Sequence, residues 1–560
     1  MANAQKNGHT QWNIGAIFKL RSLQHVRLTE TQMIIAVAFF VAVSANTGFM
    51  SSALELYPLN SATFSENLPL VASLFVYIVA TFTALLLFVC HRFLVKPLLV
   101  AFLLLSSVIA YFTNRLGIIV DHRMIENVLQ TDLSEAADLV TMPLVSFVAA
   151  LGIFPSVLVA FVPLARPSWK NELYSRSKLI GAAMLVMLAI FFTFSAHYTS
   201  MFRMQRALWA QVNPTTAIFS VVKLAKNSLK ARSSPHLFVG VDAKTPPNDP
   251  DRELVIMVVG ETARADHFSL NGYERETNPL LKKENVVNFP NFWSCGTSTA
   301  HSVPCMFSHY GRTEFEKPEA KAADNALDIL KRAGVNVLWR DNNSSSKGVA
   351  DRVTYEHFMS PEKNTICDPE CRDEGMLVGL QEFIDGHPSG DILIVLHTMG
   401  NHGPAYYKRY PKRFEKFTPV CKSNDMGSCE HQEIINAYDN AILYTDYILS
   451  KVIELLKHND DGFETAMFYA SDHGESLGEN GLYLHGMPYF IAPDAQKHVP
   501  AVMWFGKNFD SEPLAKLAAR RLEQLSHDNI FSTLIGLFEI RTEAYDVTMD
   551  ILDHSKPEHW

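Results

Sequence analysis

Acidic, imidazole and ammonium side chains recur in this 560-residue sequence immediately after short apolar runs. Glu261 follows LVIMVV (Leu254–Val259), and DNNSSSK, which holds Asn343 and ends at Lys347, follows VNVLWR. His397 follows ILIVL, with Asn401-His402-Gly403 just beyond it. TAMFYA leads into Ser471-Asp472-His473-Gly474-Glu475, and His485 comes later in YLHG. Each residue alone has an ordinary explanation. A glutamate after a strand often starts a helix, an Asp-His pair often makes a turn, a strand-end histidine is often a structural hydrogen-bonder, and a loop lysine is usually solvated. Gathered at one edge, Glu261, Asp472, His473, His402 and His485 form a carboxylate–imidazole set of the kind that binds Zn²⁺, and a catalytic zinc site keeps one position open for a nucleophile or water.

The stretch SCGTSTAHSVPC (Ser294–Cys305) offers the nucleophile. A serine or threonine hydroxyl reacts poorly at neutral pH, but ionises more readily beside a metal ion. A Cys295–Cys305 bridge would hold a short loop and aim one of Thr297, Ser298, Thr299 or Ser302. The competing reading is that these hydroxyls cap a helix starting near Ala300. Thr299 suits both roles.

The elements that must position these groups follow from hydrophobic pattern. Leu254–Val259, Val335–Trp339, Ile392–Leu396, Ala466–Tyr469 and Val499–Phe505 read as buried strands. Ala326–Ala333 and Glu433–Leu456 carry apolar residues at helical spacing. Alternation of strand and helix predicts a mostly parallel central sheet covered on both faces. Ligands of such sheets bind beyond the strands' carboxyl ends. That is where the groups above fall.

The first 200 residues differ in kind. Five apolar runs, Met33–Met50, Leu68–Cys90, Leu98–Phe112, Pro143–Ala165 and Leu179–Ala196, approach the roughly 20 residues of a membrane-spanning helix. The third reaches that length only with Pro97 and Thr113. Lys6, Lys19, Arg21 and Arg27 precede the first run, Arg92 and Lys96 separate the second and third, and Arg166, Lys170, Arg176 and Lys178 separate the fourth and fifth. Basic loops stay cytoplasmic, so the N-terminus is expected inside and everything after Ala196 outside. Six of the seven cysteines lie in that outer part as close pairs: Cys295 and Cys305, Cys367 and Cys371, Cys421 and Cys429. Spacing points to three local disulfides in an oxidising compartment, one of 15 connectivities open to six cysteines. Cys90 remains a lone thiol in an apolar span. A net charge of −9 gives no basic footprint for nucleic acid.

The blocks GETARADHFSLNGY (Gly260–Tyr273), CGTST, HTMGNHGPAYYKRYP (His397–Pro411) and SDHGESLGENGLYLHG (Ser471–Gly486) resemble the phosphoethanolamine transferases of Gram-negative inner membranes, most closely the lipid A branch that includes the mobile colistin-resistance enzymes. The resemblance covers the whole chain. It implies an α-helical membrane domain and an alkaline-phosphatase-like α/β periplasmic domain. By position it assigns Thr299 as nucleophile and Glu261, Thr299, Asp472 and His473 as ligands of one tightly bound Zn²⁺. His402 and His485, with Glu475 nearby and His397 grouped with them, match positions for a second zinc or the phosphate. Lys347 and Asn343 match phosphate contacts. It also implies phosphatidylethanolamine as donor and lipid A as acceptor.

The expected division is a five-helix membrane domain over 1–200, a helical linker over 201–244 that includes Thr216–Leu229, and a catalytic domain over 245–560, in a monomer. Transfer to a core sugar or glycan, or transfer of phosphoglycerol, is the nearest alternative. A zinc-binding sensor without turnover is the alternative of another class, and an intact Thr299 beside a full ligand set argues against it. The chain lacks the C-x-P-S-R segment of a sulfatase nucleophile. The charge pattern predicts that a phosphatase reporter fused after Lys244 is active. Activity from a cytoplasmic reporter at that position would overturn the topology.

Overall fold

The computed structural model describes residues 27–552, apart from 61–62, 132, 166, 205, 234, 247–250, 316–319, 321, 511–513, 515–516 and 518–519. The expectations resting on Lys6, Lys19, Arg21 and Arg166, and on part of the stretch between Lys244 and Arg252, fall outside these residues. The chain forms two units: Met1–Tyr111 with Leu144–Thr215, and Phe112–Pro143 with Thr216–Trp560. The stretch Phe112–Pro143, an outer loop by sequence, therefore belongs with the second unit.

In the first unit, helices α1 (Glu30–Ser44) and α2 (Thr47–Leu56) are followed by α3 (Phe64–Val89) and α4 (Val95–Leu116). Met142–Phe161, with a π-helical turn at Ala149–Ile153, and Trp169–Thr193 complete the set. Among the described residues four helices are long and apolar enough to cross a membrane, and the pair α1 and α2 makes a fifth candidate. That pair is bent by 58° rather than forming the straight helix expected over Met33–Met50. The cause is local. Asn46 sits at the bend, donates from Nδ2 to the carbonyls of Val41 and Asn213, and accepts from the Asn213 amide, so a polar side chain interrupts the helical ladder. Arg176, partly buried, pairs with the buried carboxylates of Glu30 (2.7 Å) and Glu172 (2.9 Å), which tie the fifth candidate span to the first.

The second unit is built on an eight-stranded sheet. Its strands are β1 (Glu253–Gly260), β2 (Val287–Trp293), β3 (Asn336–Asp341), β4 (Thr354–His357), β5 (Ile392–His397), β6 (Glu464–Ser471), β7 (His498–Phe505) and β8 (Leu525–Ser526). The spatial order is β8–β2–β7–β6–β1–β5–β3–β4, and only β7 runs against the others. All eight residues of β1 are buried, as befits a central parallel strand covered on both faces. One layer packs Phe289, Phe307, Trp339 and Phe468 around alternate strand residues, and the other packs Ile256, Tyr438, Ile442 and Met467. The long helix over His431–Asn459 belongs to the second layer. Strands β2, β4 and β8, short or only partly buried, carried no clear apolar run.

The described cysteines pair as Cys295–Cys305, Cys367–Cys371 and Cys421–Cys429, and Cys90 is free and buried. Cys295–Cys305 closes the loop that holds Thr297, Ser298 and Thr299, whereas Cys421–Cys429 lies just before the long helix. A bridge over a loop this short contributes roughly 3 kcal/mol or less, so either Cys→Ser double replacement lowers Tm. Turnover at matched protein level is expected to drop only for the Cys295/Cys305 pair. Equal losses for both would show that the hydroxyl loop needs no clamp of its own.

Candidate active site

Register brings the acidic residues together. In the β1–β6 ladder Gly260 pairs with Ser471, so Glu261 and Asp472 leave the sheet side by side. Val259 pairs with His397 and Asp341 with His397, which places those strand ends along the same edge. Two glycines permit the crowding. A Cβ on Gly260 would lie 2.6 Å from the Tyr469 ring. Gly400 has φ +49°, and a Cβ there would lie 2.7 Å from the Glu261 carbonyl oxygen. The loop after β5 thus passes directly over Glu261, and the Asn401 amide donates to that same carbonyl (3.0 Å).

Glu261, Asp472 and His473 are fully buried and each offers a ligand atom within 4.8 Å of the others. His473 Nε2 lies 3.4 Å from Glu261 Oε1 and 3.4 Å from Asp472 Oδ2. Its Nδ1 faces the Gly474 carbonyl at 2.9 Å, which turns Nε2 toward the carboxylates. Glu261 also accepts from Asn343 Nδ2 (2.7 Å) and from the Thr262 hydroxyl. Asp472 Oδ1 accepts from the amides of Thr262 and His473, while Oδ2 is buried without a hydrogen-bond partner. Burial by itself would push the Glu261 carboxyl up, but His473, His402 and His485 hold it down at about 2. Burial and then the neighbouring Glu261 charge drive Asp472 up to about 6. Two carboxylates and one imidazole, all fully buried and with one carboxylate oxygen lacking a hydrogen bond, form a donor set that fits a divalent cation such as Zn²⁺.

Thr299 is the first residue of the helix Thr299–Met306, with Ser298 at its N-cap. Its Oγ1 lies 3.2 Å from Glu261 Oε2, 3.4 Å from Glu261 Oε1 and 3.4 Å from His473 Nε2. The neighbouring hydroxyls are engaged elsewhere. Ser294 donates to the Gly296 carbonyl, Thr297 to the Met487 carbonyl, and Ser302 accepts from the Gly296 amide. Neither Ser298 nor Thr299 caps the helix with its side chain, so the capping alternative does not describe this loop. The partial positive charge of the helix N-terminus also favours negative charge beside Thr299.

A row of imidazoles extends from the cluster. The rings of His473 and His485 are 4.3 Å apart, and those of His485 and His402 5.6 Å apart. His485 Nδ1 lies 3.2 Å from Glu475 Oε1. Burial pushes Glu475 up to about 8. His397 is held by Asp341 (3.0 Å), which also accepts from Trp339 Nε1. Asn343 spends its amide on Glu261 and the Thr398 carbonyl. Lys347 is folded onto its own loop, bonding the Ser344 carbonyl and hydroxyl and the Gln130 carbonyl. Asp341 and Asp373 were missed by sequence reasoning. Asp373 is buried and accepts from the amides of Met399 and Gly400, holding the loop that crosses Glu261. A strand-end aspartate in DNNSSSK was the available signal for the first; nothing local marked the second.

Comparison with known proteins agrees with this architecture. The model described as "Phosphoethanolamine transferase EptA/EptB" matches residues 78–229, and the Sulfatase model matches residues 253–540. The chain is 44% identical over 527 residues to the phosphatidylethanolamine transferase Mcr-1 of Escherichia coli, covering 91% of this chain and 95% of that one. It is 38% identical over 547 residues to the phosphoethanolamine transferase EptA of Escherichia coli strain K12, covering 95% and 98%. Among solved structures, the integral membrane lipooligosaccharide phosphoethanolamine transferase A of Neisseria meningitidis superposes with a TM-score of 0.89 at 35% identity, covering 94% of this chain and 99% of that one.

The donor set predicts a metal dependence that is readable without activity. Stripping the purified chain with a chelator is expected to lower Tm, because two buried carboxylates then repel each other, and Zn²⁺ should restore it. Asp472→Asn should reduce the zinc content measured by elemental analysis. An unchanged Tm after chelation, with no zinc recovered, would exclude the site.

Proposed function

This chain belongs to the phosphoethanolamine transferase family, and from that premise we propose that it carries phosphoethanolamine on Thr299 from phosphatidylethanolamine to a phosphate of lipid A. The observation that carries the reading is the placement of one hydroxyl, Thr299 Oγ1, against Glu261 and His473 while its neighbours bond elsewhere.

In the first step Thr299 Oγ1 bonds to phosphorus and the bond from phosphorus to the glycerol oxygen breaks. Diacylglycerol leaves with a proton on that oxygen. In the second step an oxygen of the acceptor phosphate bonds to the same phosphorus, the bond from phosphorus to Thr299 Oγ1 breaks, and Thr299 recovers its hydroxyl with the proton that the acceptor phosphate gives up. The proton that Thr299 gives up in the first step is the one that the departing glycerol oxygen takes, so the step needs no base among the metal-binding groups. Phosphoryl chemistry of this kind depends mainly on positioning and charge stabilisation. Glu261, Asp472 and His473, with Thr299, would hold one Zn²⁺, which when bound supplies a Lewis acid for charge developing on oxygen. His402, His485 and Glu475 stand as the group for the transferred phosphate or a second zinc. Asn343 acts by holding Glu261, and Lys347 would have to swing from Ser344 to reach a phosphate.

A lipid donor accounts for the membrane-crossing helices, and the basic-loop pattern supports an inner-membrane protein with a periplasmic catalytic unit. Capping a lipid A phosphate with an ammonium group lowers surface negative charge and thereby the affinity of cationic polymyxins such as colistin. The relatives named for phosphoethanolamine and phosphatidylethanolamine transfer support this class of donor.

Peptide mass spectrometry of the chain incubated with phosphatidylethanolamine alone tests the carrier. Phosphoethanolamine is expected on Thr299. Thr299→Ala should abolish transfer without unfolding the chain, and Thr297→Ala should be much milder. The adduct on Thr297, Ser298 or Ser302, or normal turnover by Thr299→Ala, would sink the mechanism.

A further inference from the structure

Asp138 lies in the stretch Phe112–Pro143, more than 250 residues from its partners in sequence yet in the same structural unit. It is 9% exposed. It accepts from Lys408 Nζ (2.6 Å) and Asn424 Nδ2 (2.9 Å), and its second oxygen lies 3.6 Å from Arg409 Nη2. Arg409 is buried in turn, pairs with Glu370, and donates from Nε to the backbone carbonyl of His402 at 2.6 Å. Contacts therefore run unbroken from Asp138 through Arg409 to His402, whose ring faces His485.

The same groups border open space. A cavity of about 240 Å³ is lined by Asp138, Glu370, Arg409, His402 and Asn343, among others, and Asn343 is the residue that holds Glu261. Asp138 thus lines the same cavity as His402 and as Asn343, whose amide reaches the cluster at Glu261. A buried guanidinium keeps its place only while carboxylates match it. Removing the Asp138 charge takes the carboxylate partner from Lys408 and leaves Arg409 only Glu370 among the described carboxylates, and Arg409 is the group that anchors the His402 backbone.

We propose that Asp138 is a positioning residue for the transfer reaction, acting through Arg409 on His402, so that the stretch Phe112–Pro143 is a working part of the catalytic unit. The proposal rests on the function given above. It assigns Asp138 no contact with the reacting atoms. Its role is to set the imidazole that does face them.

The test uses the full-length chain in vesicles containing phosphatidylethanolamine, with lipid A as acceptor. Asp138→Asn is expected to lower kcat roughly tenfold or more while KM for the donor stays within about threefold, because a displaced site group costs turnover more than lipid binding. Adding Lys408→Gln restores the charge balance, so Tm should recover while kcat stays low. This double variant carries the test if Asp138→Asn alone does not fold. Arg409→Lys keeps the charge but loses the fork that bridges Asp138 and His402. It should lower kcat similarly, with no further loss when combined with Asp138→Asn. Lys412→Gln, an exposed lysine that pairs with Glu415 among the described residues, serves as the silent control. Turnover of Asp138→Asn per folded molecule equal to wild type would overturn the proposal. So would kcat recovering together with Tm in the double variant, or losses from Asp138→Asn and Arg409→Lys that simply multiply. A wild-type chain that transfers nothing would instead fail the functional reading on which the proposal stands.

Discussion

Burying two carboxylates beside each other is the constraint around which the second unit is organised. Glu261 and Asp472 follow paired residues of neighbouring parallel strands, so the sheet register itself sets their separation. Each is fully buried, and taking like charges out of water together is costly unless donors or cations answer them. The structure answers with Asn343, Thr262, backbone amides and His473, and still leaves Asp472 Oδ2 unmatched. What remains is a negative excess at one point, and a divalent cation is the simplest species to neutralise it. The crossing loop at Gly400 and the tight approach of Tyr469 to Gly260 follow from the same crowding.

Hydrogen bonding sets Thr299 apart from the other hydroxyls of its loop. Threonine and serine hydroxyls are equally weak nucleophiles, and SCGTSTAHSVPC has five of them. Three are turned onto backbone groups of the loop or of Met487, and Ser298 forms the N-cap position. The helix that begins at Thr299 places its Oγ1 against Glu261. The Cys295–Cys305 bridge and the bond from the Cys295 amide to His527 hold the base of this loop. His527 is buried, its imidazole pushed down to about 3 by that burial, so it serves as a neutral structural partner.

The catalytic unit also draws on a piece of chain that sequence position would assign elsewhere. Phe112–Pro143 runs from the end of one apolar helix to the start of another, yet its residues pack with the sheet unit: Ile118 and Met124 join the core cluster that contains Tyr438 and Ile256.

How much of this was legible in advance depended on the range of the interaction. The five apolar runs, the buried strands and the cysteine pairs are local patterns, set by burial of consecutive or alternating residues, and they could be read directly from the chain. Glu261, Thr299, Asp472 and His473 could be nominated because each follows a strand or opens a helix and because long motifs surround them. Where residues 112–143 pack could not be read, because Asp138 finds Lys408, Arg409 and Asn424 only through the fold. The bend at Asn46 likewise arises from Asn213, far along the chain. Asn343 and Lys347, four residues apart, looked alike as phosphate contacts, yet one braces Glu261 and the other folds back on Ser344. Residue type and spacing determined which chemistry was available. Tertiary structure decided what each of these groups bonds to and which supports hold it, because hydrogen-bond partners across hundreds of residues are set by packing and register rather than by local pattern.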